Sequence, residues 1–566
     1  MSELLIKNAC VVDPLRSINA ETMDIAIRDG RIVEEVSGAA EVIDVHGMLT
    51  MPGGVDSHTH ICGTKVNFGR YMSPEDMRAG RTPRRGPLHA TSGYSVPTTY
   101  GNSYRYSVMG YTTLLEGAMA PLEARHTHEE FIYTPLQDTM ANTLFDGNWG
   151  IMEAVRDGDI KRVAAIIAWT LRAVKGFGVK LTNPGGTEAW QWGKNVTCIR
   201  DPVPYFEVTP AEIIRSVVEA NELLHLPHSV HLHCNNLGTP GNYTCTLGSM
   251  GLIPDLNKKR QTLYATHVQF HAYGGSDWKD FCSKSEPIAN FVNMRPQIVM
   301  DMGQVMFGRT TTMTADGPME FNLYRLHHDK WSNHDVELET GSGIIPVIYR
   351  RKNLVNSIMW AIGLELALLT KSPWQCLLTT DNPNGAPFVK YPEIIALLMS
   401  KKYRDAEFAT VHPDTGSRVP LPAIERELDW YEIAVMTRAG QAKALGIQDI
   451  GKGHLGPGAY ADVAVFPLRI DEVDPAAEYQ KVIEAFARTE YTIKRGRVVA
   501  RRGECLIDGS NATFWVKPKV SDAYDMEKDP EFIEKFDRYY TVRMRNYPVQ
   551  EEYLNRNRCI ETEAEI

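Results

Sequence analysis

Two histidines separated by one residue, His58 and His60, end the segment PGGVDSHTH that begins at Pro52. If this segment is a strand, side chains two positions apart point to the same side, so the two imidazoles converge on one point. Neutral imidazole is a preferred ligand of zinc. The pair therefore predicts a metal site, although two such histidines alone would also suit hydrogen-bonded surface positions.

Four further residues with metal-binding or acid–base side chains lie in or just after short apolar runs: Lys180 in GVKLTNPGG, His233 in VHLHCNN, His267 in ATHVQ and Asp381 in TTDNPNG. Barrel enzymes place their chemistry at the carboxyl ends of the strands, where such side chains would stand. Taken singly, the lysine suits a solvated surface, the aspartate a turn, and the histidines a hydrogen-bonded core. Their joint order favours one shared site.

The elements that must position these residues alternate between strand-like and helix-like segments. One amphipathic helix is expected at Ala211–Leu224, and the strand-like runs are Thr112–Leu115, Val179–Leu181, Ser229–Leu232, Leu263–Thr266 and Leu377–Thr380. Repeated strand–helix units imply a parallel sheet, and over this length they favour a closed barrel. The predicted fold class is α/β, a (β/α)8 TIM-like barrel.

Short strands with turns are expected at both ends of the chain. The hairpin signal Asp29-Gly30 lies near the start, and a similar pattern returns in Ala461–Phe466 and Tyr491–Val499. Because chain ends often lie close together, these pieces predict one small composite β-sandwich. The predicted parts are residues 1–50 (sandwich), 51–450 (metal-dependent barrel), 451–510 (sandwich) and 511–566, an extension that packs against the barrel or a partner chain.

Composition and charge exclude several other classes of protein. The 566 residues are 43% hydrophobic and 23% charged, as in a soluble enzyme with a large core. The net charge of −10 argues against general nucleic-acid binding. The nine cysteines include no CxxC pair, so no redox centre is indicated. No signal peptide is apparent, and the apolar stretch Asn353–Thr370 contains Asn356 and Glu365, which favours a buried helix in a cytoplasmic protein without a membrane span.

Taken together, these residues resemble the amidohydrolase superfamily, in which an HxH pair, a lysine, two separate histidines and a late aspartate occur in this order. The run GPGAYADVAVF, from Gly456 to Phe466, is similar to the family's return to its sandwich. The resemblance implies two divalent metal ions, with zinc favoured by the ligand types. The implied ligands are His58, His60 and Asp381 for the first metal, His233 and His267 for the second, and a carboxylated Lys180 that bridges both.

Two neighbouring histidines leave the ligand set open. His231 precedes His233 by two residues and His271 follows His267 by four, so either is an alternative ligand or a pocket residue. In the implied reaction, a metal-activated water attacks a carbonyl carbon. Asp381 then passes the proton to the leaving amine, and His231 is the second candidate catalytic residue. The reverse reaction joins a carboxylate to an amine.

A narrower resemblance, to the A subunits of formylmethanofuran dehydrogenases, rests on seven segments: MPGGVDSHTH, SGYSVPTTY, VKLTNPGGTEAW, VHLHCNNLGTPGNY, THVQFHAYGG, TTTMTADGP and TTDNPNGAPF. It implies reversible condensation of formate with the amine of methanofuran to give N-formylmethanofuran. The implied partners are iron–sulfur subunits together with a tungsten or molybdenum formate dehydrogenase-like subunit. Alternatives are a component of a bacterial formyltransferase/hydrolase complex and, more weakly, a hydantoinase-type hydrolase of cyclic amides or a non-catalytic scaffold.

The resemblance also implies substrate contacts away from the metals. Methanofuran carries a glutamate-rich tail, which would need a basic surface on an acidic protein. An arginine cluster follows the HxH strand, although a solvated charged loop is the simpler interpretation. The predicted substrate-binding residues are Arg84 and Arg85, with Arg78 and Arg81 beside them, and Asn235. Asn382, next to Asp381, departs from some amidohydrolases, which leaves the contact at that position open.

Overall fold

The computed structural model describes residues 2–256, 259–334, 342–507, 509 and 511–566. Its centre is an eight-stranded parallel sheet in which each strand lies beside the next one along the chain. The two edge strands approach each other, since Thr59 and Asn382 form a parallel bridge and the His60 N–H donates to the Asn382 carbonyl (2.7 Å). We number the strands barrel strands one to eight: Gly54–Thr59, Tyr111–Met119, Asp138–Leu144, Gly178–Thr182, Val230–His233, Leu263–Ala265, Ile298–Asp301 and Cys376–Leu377.

This curled sheet fits the predicted TIM-like barrel, and its strands are buried on both faces. Every residue of barrel strands one to eight is buried. Parallel strands covered by helices on one side and by barrel packing on the other read as nearly continuous apolar runs. For that reason the charged side chains within these runs, such as Lys180 and Asp301, stand out as positions with a special role.

Helices surround the barrel, and two of them confirm segments expected from the sequence. The amphipathic helix spans Pro210–Leu223 and begins with a capping box between Thr209 and Glu212, while the long apolar helix spans Leu354–Leu369 and is buried. None of the helices in the described residues is long and apolar enough to cross a membrane. The others are Thr64–Met72, Pro74–Met77, Thr99–Val108, Ala124–Ile132, Trp149–Arg156, Ile160–Val174, Gly186–Gln191, Tyr243–Gly251, Ser285–Asn293, Gly317–His327, Tyr391–Met399, Lys401–Phe408, Trp430–Ala434, Gly440–Ala444, Tyr479–Ala487 and Pro530–Tyr539.

Both chain ends contribute strands to one further sheet. Val463–Val465 pairs antiparallel with Leu49–Pro52 on one side and with Tyr491–Lys494 on the other, so the late segment is inserted beside the early one. A sheet shared by the two ends is thus observed, while its division into a sandwich stays a prediction. In the described residues its strands are Glu3–Asp13, Ile18–Arg28, Arg31–Val33, Glu41–Asp44, Leu49–Pro52, Val463–Val465, Tyr491–Lys494, Arg497–Arg501 and Glu504–Cys505.

A buried ionic cluster joins this sheet to the start of barrel strand three. Lys494 Nζ lies 2.6 Å from Asp138 Oδ2 and 2.9 Å from Asp462 Oδ2. Lys452 contacts the same two carboxylates, and Arg495 Nη2 lies 3.0 Å from Asp138 Oδ1. Burial opposes ionisation of Asp138, but the two lysines and the arginine hold its pKa well below the usual value. The cluster therefore connects the barrel to the shared sheet. Each of its buried charges would destabilise the fold without its oppositely charged partners.

Three smaller sheets lie outside the barrel and the shared sheet. One pairs Phe514–Lys519 with Arg558–Glu563 in the C-terminal extension, whose Phe532 and Phe536 stack edge-on against Trp169 of the helix Ile160–Val174. Hence the extension packs against the barrel's outer helices, one of its two expected positions. The other two sheets are formed by Tyr273–Gly274 with Cys282–Ser283, and by Gly308–Thr314, Ser332–His334 and Ser342–Tyr349.

Replacing Asp138 by asparagine tests the role of the ionic cluster. Because the change leaves buried cations without their shared carboxylate, we expect the free energy of unfolding to fall by about 3–5 kcal/mol, measured by urea denaturation. Glu534→Gln is the control, since Glu534 and Arg538 form an exposed pair and its loss should cost less than about 1 kcal/mol. Equal effects of the two substitutions would contradict a structural role for the cluster.

Candidate metal centre

The residues expected to bind metal meet at the carboxyl ends of the barrel strands. They come from barrel strands one, four and five and from the segments directly after strands one, six and eight. All of them are buried: His58, His60, Lys180, His233, His267 and Asp381. Strand ends in a closed parallel sheet face one common mouth, which explains why residues so far apart in sequence come together.

His58, His60 and Asp381 form the tightest group. Their ligand atoms all lie within 4.8 Å of one another. Asp381 Oδ1 is 3.2 Å from His58 Nε2 and 3.1 Å from His60 Nε2. Burial, followed by the nearby Lys180, lowers the pKa of His58 well below its usual value, so its imidazole is in the neutral form that can ligate a metal. Two imidazoles and one carboxylate at these distances fit a divalent cation.

Two buried carboxylates hold the imidazoles from behind. Glu116 Oε1 lies 2.8 Å from His60 Nδ1, and Asp301 Oδ2 lies 3.0 Å from His58 Nδ1. Each carboxylate is hydrogen-bonded to Nδ1, the ring nitrogen that points away from the centre. The Nε2 atoms therefore point inward, as in carboxylate–histidine–metal arrangements. Neither acid was predicted from the sequence. The available signal was an acidic residue within an otherwise apolar run, in TTLLEGAM and in QIVMDMG.

The next residue after Glu116 is a glycine that the two imidazoles require. A Cβ at Gly117 would lie 2.5 Å from His58 Cδ2 and 3.0 Å from His60 Cε1, closer than atoms approach without displacement. Burial raises the pKa of Glu116, but the facing His60, Lys65 and the Cys62 N–H lower it to a net value below the usual one. Barrel strand two therefore supplies an ionised carboxylate and the space for both rings.

Lys180 lies directly beside the HxH pair. Its Nζ is 3.3 Å from His58 Nε2 and 3.4 Å from Thr266 Oγ1. Burial lowers the pKa of Lys180 to about 8. Carbon dioxide reacts only with the neutral amine, so this environment makes carboxylation chemically accessible near neutral pH.

A second group of donors lies next to the first. The rings of His233 and His267 have centroids 4.7 Å apart, and His267 Nε2 is 3.9 Å from Asp381 Oδ2. His233 Nε2 lies 3.1 Å from Asp316 Oδ2, which leaves its Nδ1 as the nitrogen for a cation. Among the described residues, the buried Nδ1 of His267 has no hydrogen-bond partner. This donor chemistry fits a second cation beside the first. The sequence analysis did not predict a role for Asp316, because an aspartate in the segment TADGP is typical of a helix cap.

Both alternative histidines lie beside the site. His271 stacks on His267 with ring centroids 5.3 Å apart and is also 5.3 Å from His233. His231 is paired in register with Lys180, and its ring is 6.4 Å from His58 and 4.2 Å from Tyr264. Within the described residues, all four ring nitrogens of the two histidines are buried without a hydrogen-bond partner. The geometry keeps both as candidates for pocket or ligand roles.

The predicted substrate-binding residues lie in different environments. Arg84 and Arg85 are exposed, and Arg85 Nη1 lies 3.6 Å from Glu504 Oε1 of the shared sheet. Asn235 is buried, and its Nδ2 donates to Asn183 Oδ1 and to the Pro184 carbonyl, both at 2.9 Å. The amide nitrogen of Asn235 thus supports the loop after Lys180, and the arginines lie outside the buried centre.

Comparison with known proteins places this geometry in a family. A sequence profile described as the amidohydrolase family matches residues 41–500. Protein FwdA of Methanocaldococcus jannaschii is 50% identical over 569 residues, covering 99% of each chain. The A subunit of the formyltransferase/hydrolase complex Fhc of Methylorubrum extorquens is 36% identical over 515 residues, covering 89% of each. A chain in the crystal structure of FhcABCD from that organism, in complex with methylofuran, superposes with a TM-score of 0.88 at 31% identity over 99% of both chains.

Removing the carboxylate behind His60 tests whether the centre holds metal. Glu116→Gln should weaken metal affinity about 10- to 100-fold, because the imidazole loses the partner that orients it. Competition with a chromogenic chelator would measure the change. Glu365→Gln is the matched control, since Glu365 is another fully buried glutamate but is bonded to Ser283 and Ser285, away from the centre. Unchanged metal affinity in Glu116→Gln would contradict the assignment.

Proposed function

Since this chain belongs to the amidohydrolase family and is a metal-dependent amidohydrolase, we propose that it acts on the formyl–nitrogen bond of N-formylmethanofuran. The observation that carries this proposal is the near full-length structural similarity to a chain of a formyltransferase/hydrolase complex that holds methylofuran. The identity to Protein FwdA confirms the family resemblance drawn from the motifs.

We propose that the reaction is reversible condensation of formate with the amine of methanofuran. A second candidate, release of formate from the formylated compound, is favoured by the similarity to the corresponding chain of the Fhc complex. Both directions use the same bond and the same side chains, so the physiological direction depends on what supplies or removes formate. For the condensing direction the proposed partners are iron–sulfur subunits together with a tungsten or molybdenum formate dehydrogenase-like subunit.

The proposed centre holds two divalent cations, with zinc suited to the ligand types. When bound, such cations polarise a carbonyl group and lower the pKa of a water molecule. The observations that support this are the convergent ligand atoms, the lowered pKa of His58 and the unpartnered Nδ1 of His267. The proposed ligands are His58, His60 and Asp381 for one cation, His233 and His267 for the other, and a carboxylated Lys180 between them.

In this proposal Asp381 carries the proton between water and the substrate nitrogen. Its carboxylate faces both groups of donors, with Oδ1 toward the HxH pair and Oδ2 toward His267. Asn384 Nδ2 donates to Oδ2 at 2.8 Å and so fixes the plane of the carboxylate. A general base needs such fixed geometry before its basicity matters.

A three-stranded sheet contacts the segment that directly follows Asp381. The Tyr349 hydroxyl donates to the Asn384 carbonyl at 3.2 Å, and the Met313 N–H donates to Asn384 Oδ1. Asp381 itself is only 4% exposed. Exclusion of bulk water strengthens every charge interaction within the site and protects the substrate from unproductive proton exchange.

Substitution of Lys180 tests the proposed chemistry. In the assembled complex, Lys180→Ala and Asp381→Asn should each reduce formate release from N-formylmethanofuran by at least about 100-fold, because one removes the bridge and the other the proton carrier. Lys175→Ala is the control, since Lys175 contacts Trp515 outside the site. Full activity in either active-site variant would contradict the proposed mechanism.

The arginine cluster is tested separately. If Arg84 and Arg85 bind the acidic tail of methanofuran, reversal of both charges to glutamate should raise KM about 10-fold, with kcat little changed. The effect should shrink as salt concentration increases. Arg538→Glu, at another exposed arginine, supplies the control, and an unchanged KM in the double variant would remove the tail-binding role.

A further inference from the structure

Glu320 is a buried acid near the metal centre that the mechanism above does not use. It lies in the helix Gly317–His327 with 0% of its surface exposed. Among the described residues, neither of its carboxylate oxygens has a hydrogen-bond partner. Burying a polar group without a partner is costly, so natural proteins retain few such groups without a reason.

The surrounding backbone is built to admit this side chain. A Cβ at Gly343 would lie 2.1 Å from Glu320 Cβ and 2.3 Å from its Cγ, so the strand Ser342–Tyr349 can pass over Glu320 only with glycine at that position. The start of the helix is fixed by Asp316, whose carboxylate accepts the Met319 N–H at 3.2 Å. The position of Glu320 is thus determined from two sides.

Asp316 and Glu320 stand one turn apart on the same face of the helix, where two like charges repel. Asp316 is paired: its Oδ2 lies 3.1 Å from His233 Nε2, and its Oδ1 accepts a hydrogen bond from Asn183 Nδ2 at 3.2 Å. Among the described residues, Glu320 has no corresponding donor. Burial, and then the charge of Asp316, raise the pKa of Glu320 well above its usual value. The described part of this face therefore lacks one cation or hydrogen-bond donor opposite Glu320.

The unpaired carboxyl lies one helical turn from the contact between Asp316 and His233. Its helix face is the one that contacts His233 through Asp316. Tyr349 ends the strand that passes over Glu320, and its hydroxyl donates to the Asn384 carbonyl at 3.2 Å, while Asn384 Nδ2 donates to Asp381 Oδ2 at 2.8 Å. A ligand bound between Asp381 and the helix would therefore meet Glu320.

We propose that Glu320 binds the primary amino group of the substrate in its ammonium form. An ammonium group has three donors and no acceptor, which matches two open carboxylate oxygens. Its charge would also offset the repulsion between Glu320 and Asp316. This inference rests on the proposed function, in which one reactant is an amine. The formylated product has a neutral amide nitrogen. Glu320 therefore binds the amine substrate in preference to the amide product.

The test compares the assembled, metal-loaded complex with its Glu320→Gln variant, which keeps the size of the side chain but cannot become a carboxylate when an ammonium binds. Calorimetry would measure the binding of methanofuran and of two simple probes, benzylammonium and benzyl alcohol. The affinity for benzylammonium should fall about 10- to 100-fold in the variant, because this is the contribution expected from a hydrogen bond to a charged group. Binding of benzyl alcohol and metal content should be unchanged. Glu365→Gln, a buried glutamate bonded to two serines, should behave as the wild type.

Each outcome separates this inference from the proposed function. Wild-type affinity of Glu320→Gln for both amines would overturn the inference, as would wild-type protein that prefers benzyl alcohol to benzylammonium. Loss of metal together with loss of all ligands would show a structural role and would also overturn it. If the wild-type complex releases no formate while benzylammonium binding still depends on Glu320, the amine site stands and the proposed function falls.

Discussion

The structure depends on the orientation of two imidazole rings. His58 and His60 can present Nε2 to the same point only if their other nitrogens are held from behind, and Asp301 and Glu116 do this. Those carboxylates are fully buried, and a buried carboxylate is tolerable only when it is paired and hydrogen-bonded. The relative position of barrel strands one, two and seven is therefore restricted to an arrangement in which both pairs form. Gly117 shows how tight that restriction is, because even a methyl group would displace the rings.

The two ends of the barrel carry different kinds of buried charge. At the amino end, Asp138 and Asp462 are matched by two lysines and an arginine, so the cluster balances itself and joins the barrel to the shared sheet. At the carboxyl end, the described acids mainly contact imidazoles, and Lys65 Nζ lies 3.7 Å from Glu116 Oε1. In barrel enzymes the amino end typically contributes stability and the carboxyl end carries the catalytic residues. The stable amino end offsets the cost of the buried polar groups at the carboxyl end.

The sequence allowed prediction of the residues that stand at strand ends, and not of those that support them. The period of a strand indicated that His58 and His60 share a side, and the strand–helix alternation indicated a rim where Lys180 and Asp381 could meet. The supporting contacts join residues 56, 83 and 243 positions apart, for Glu116–His60, Asp316–His233 and Asp301–His58. Nothing local in a single chain specifies such pairings. The order of strands in the shared sheet is similarly non-local, so only its location at both chain ends could be predicted.

Charge balance explains why these residues belong together. Burial lowers the pKa of His58 and of His267 far enough that both rings are neutral. Among the described residues, the same centre contains the carboxyl groups of Asp381, Glu116, Asp301, Asp316 and Glu320, and the buried amines beside it are those of Lys180 and Lys65. In a site that excludes water, an excess of carboxylates must either take up protons or attract cations. Burial raises the pKa of Asp301 to about 6 and that of Glu320 well above its usual value, so burial favours the protonated form of both acids. Divalent metals at the strand ends and an ammonium at the helix would restore the balance, and the same excess of negative charge would favour both.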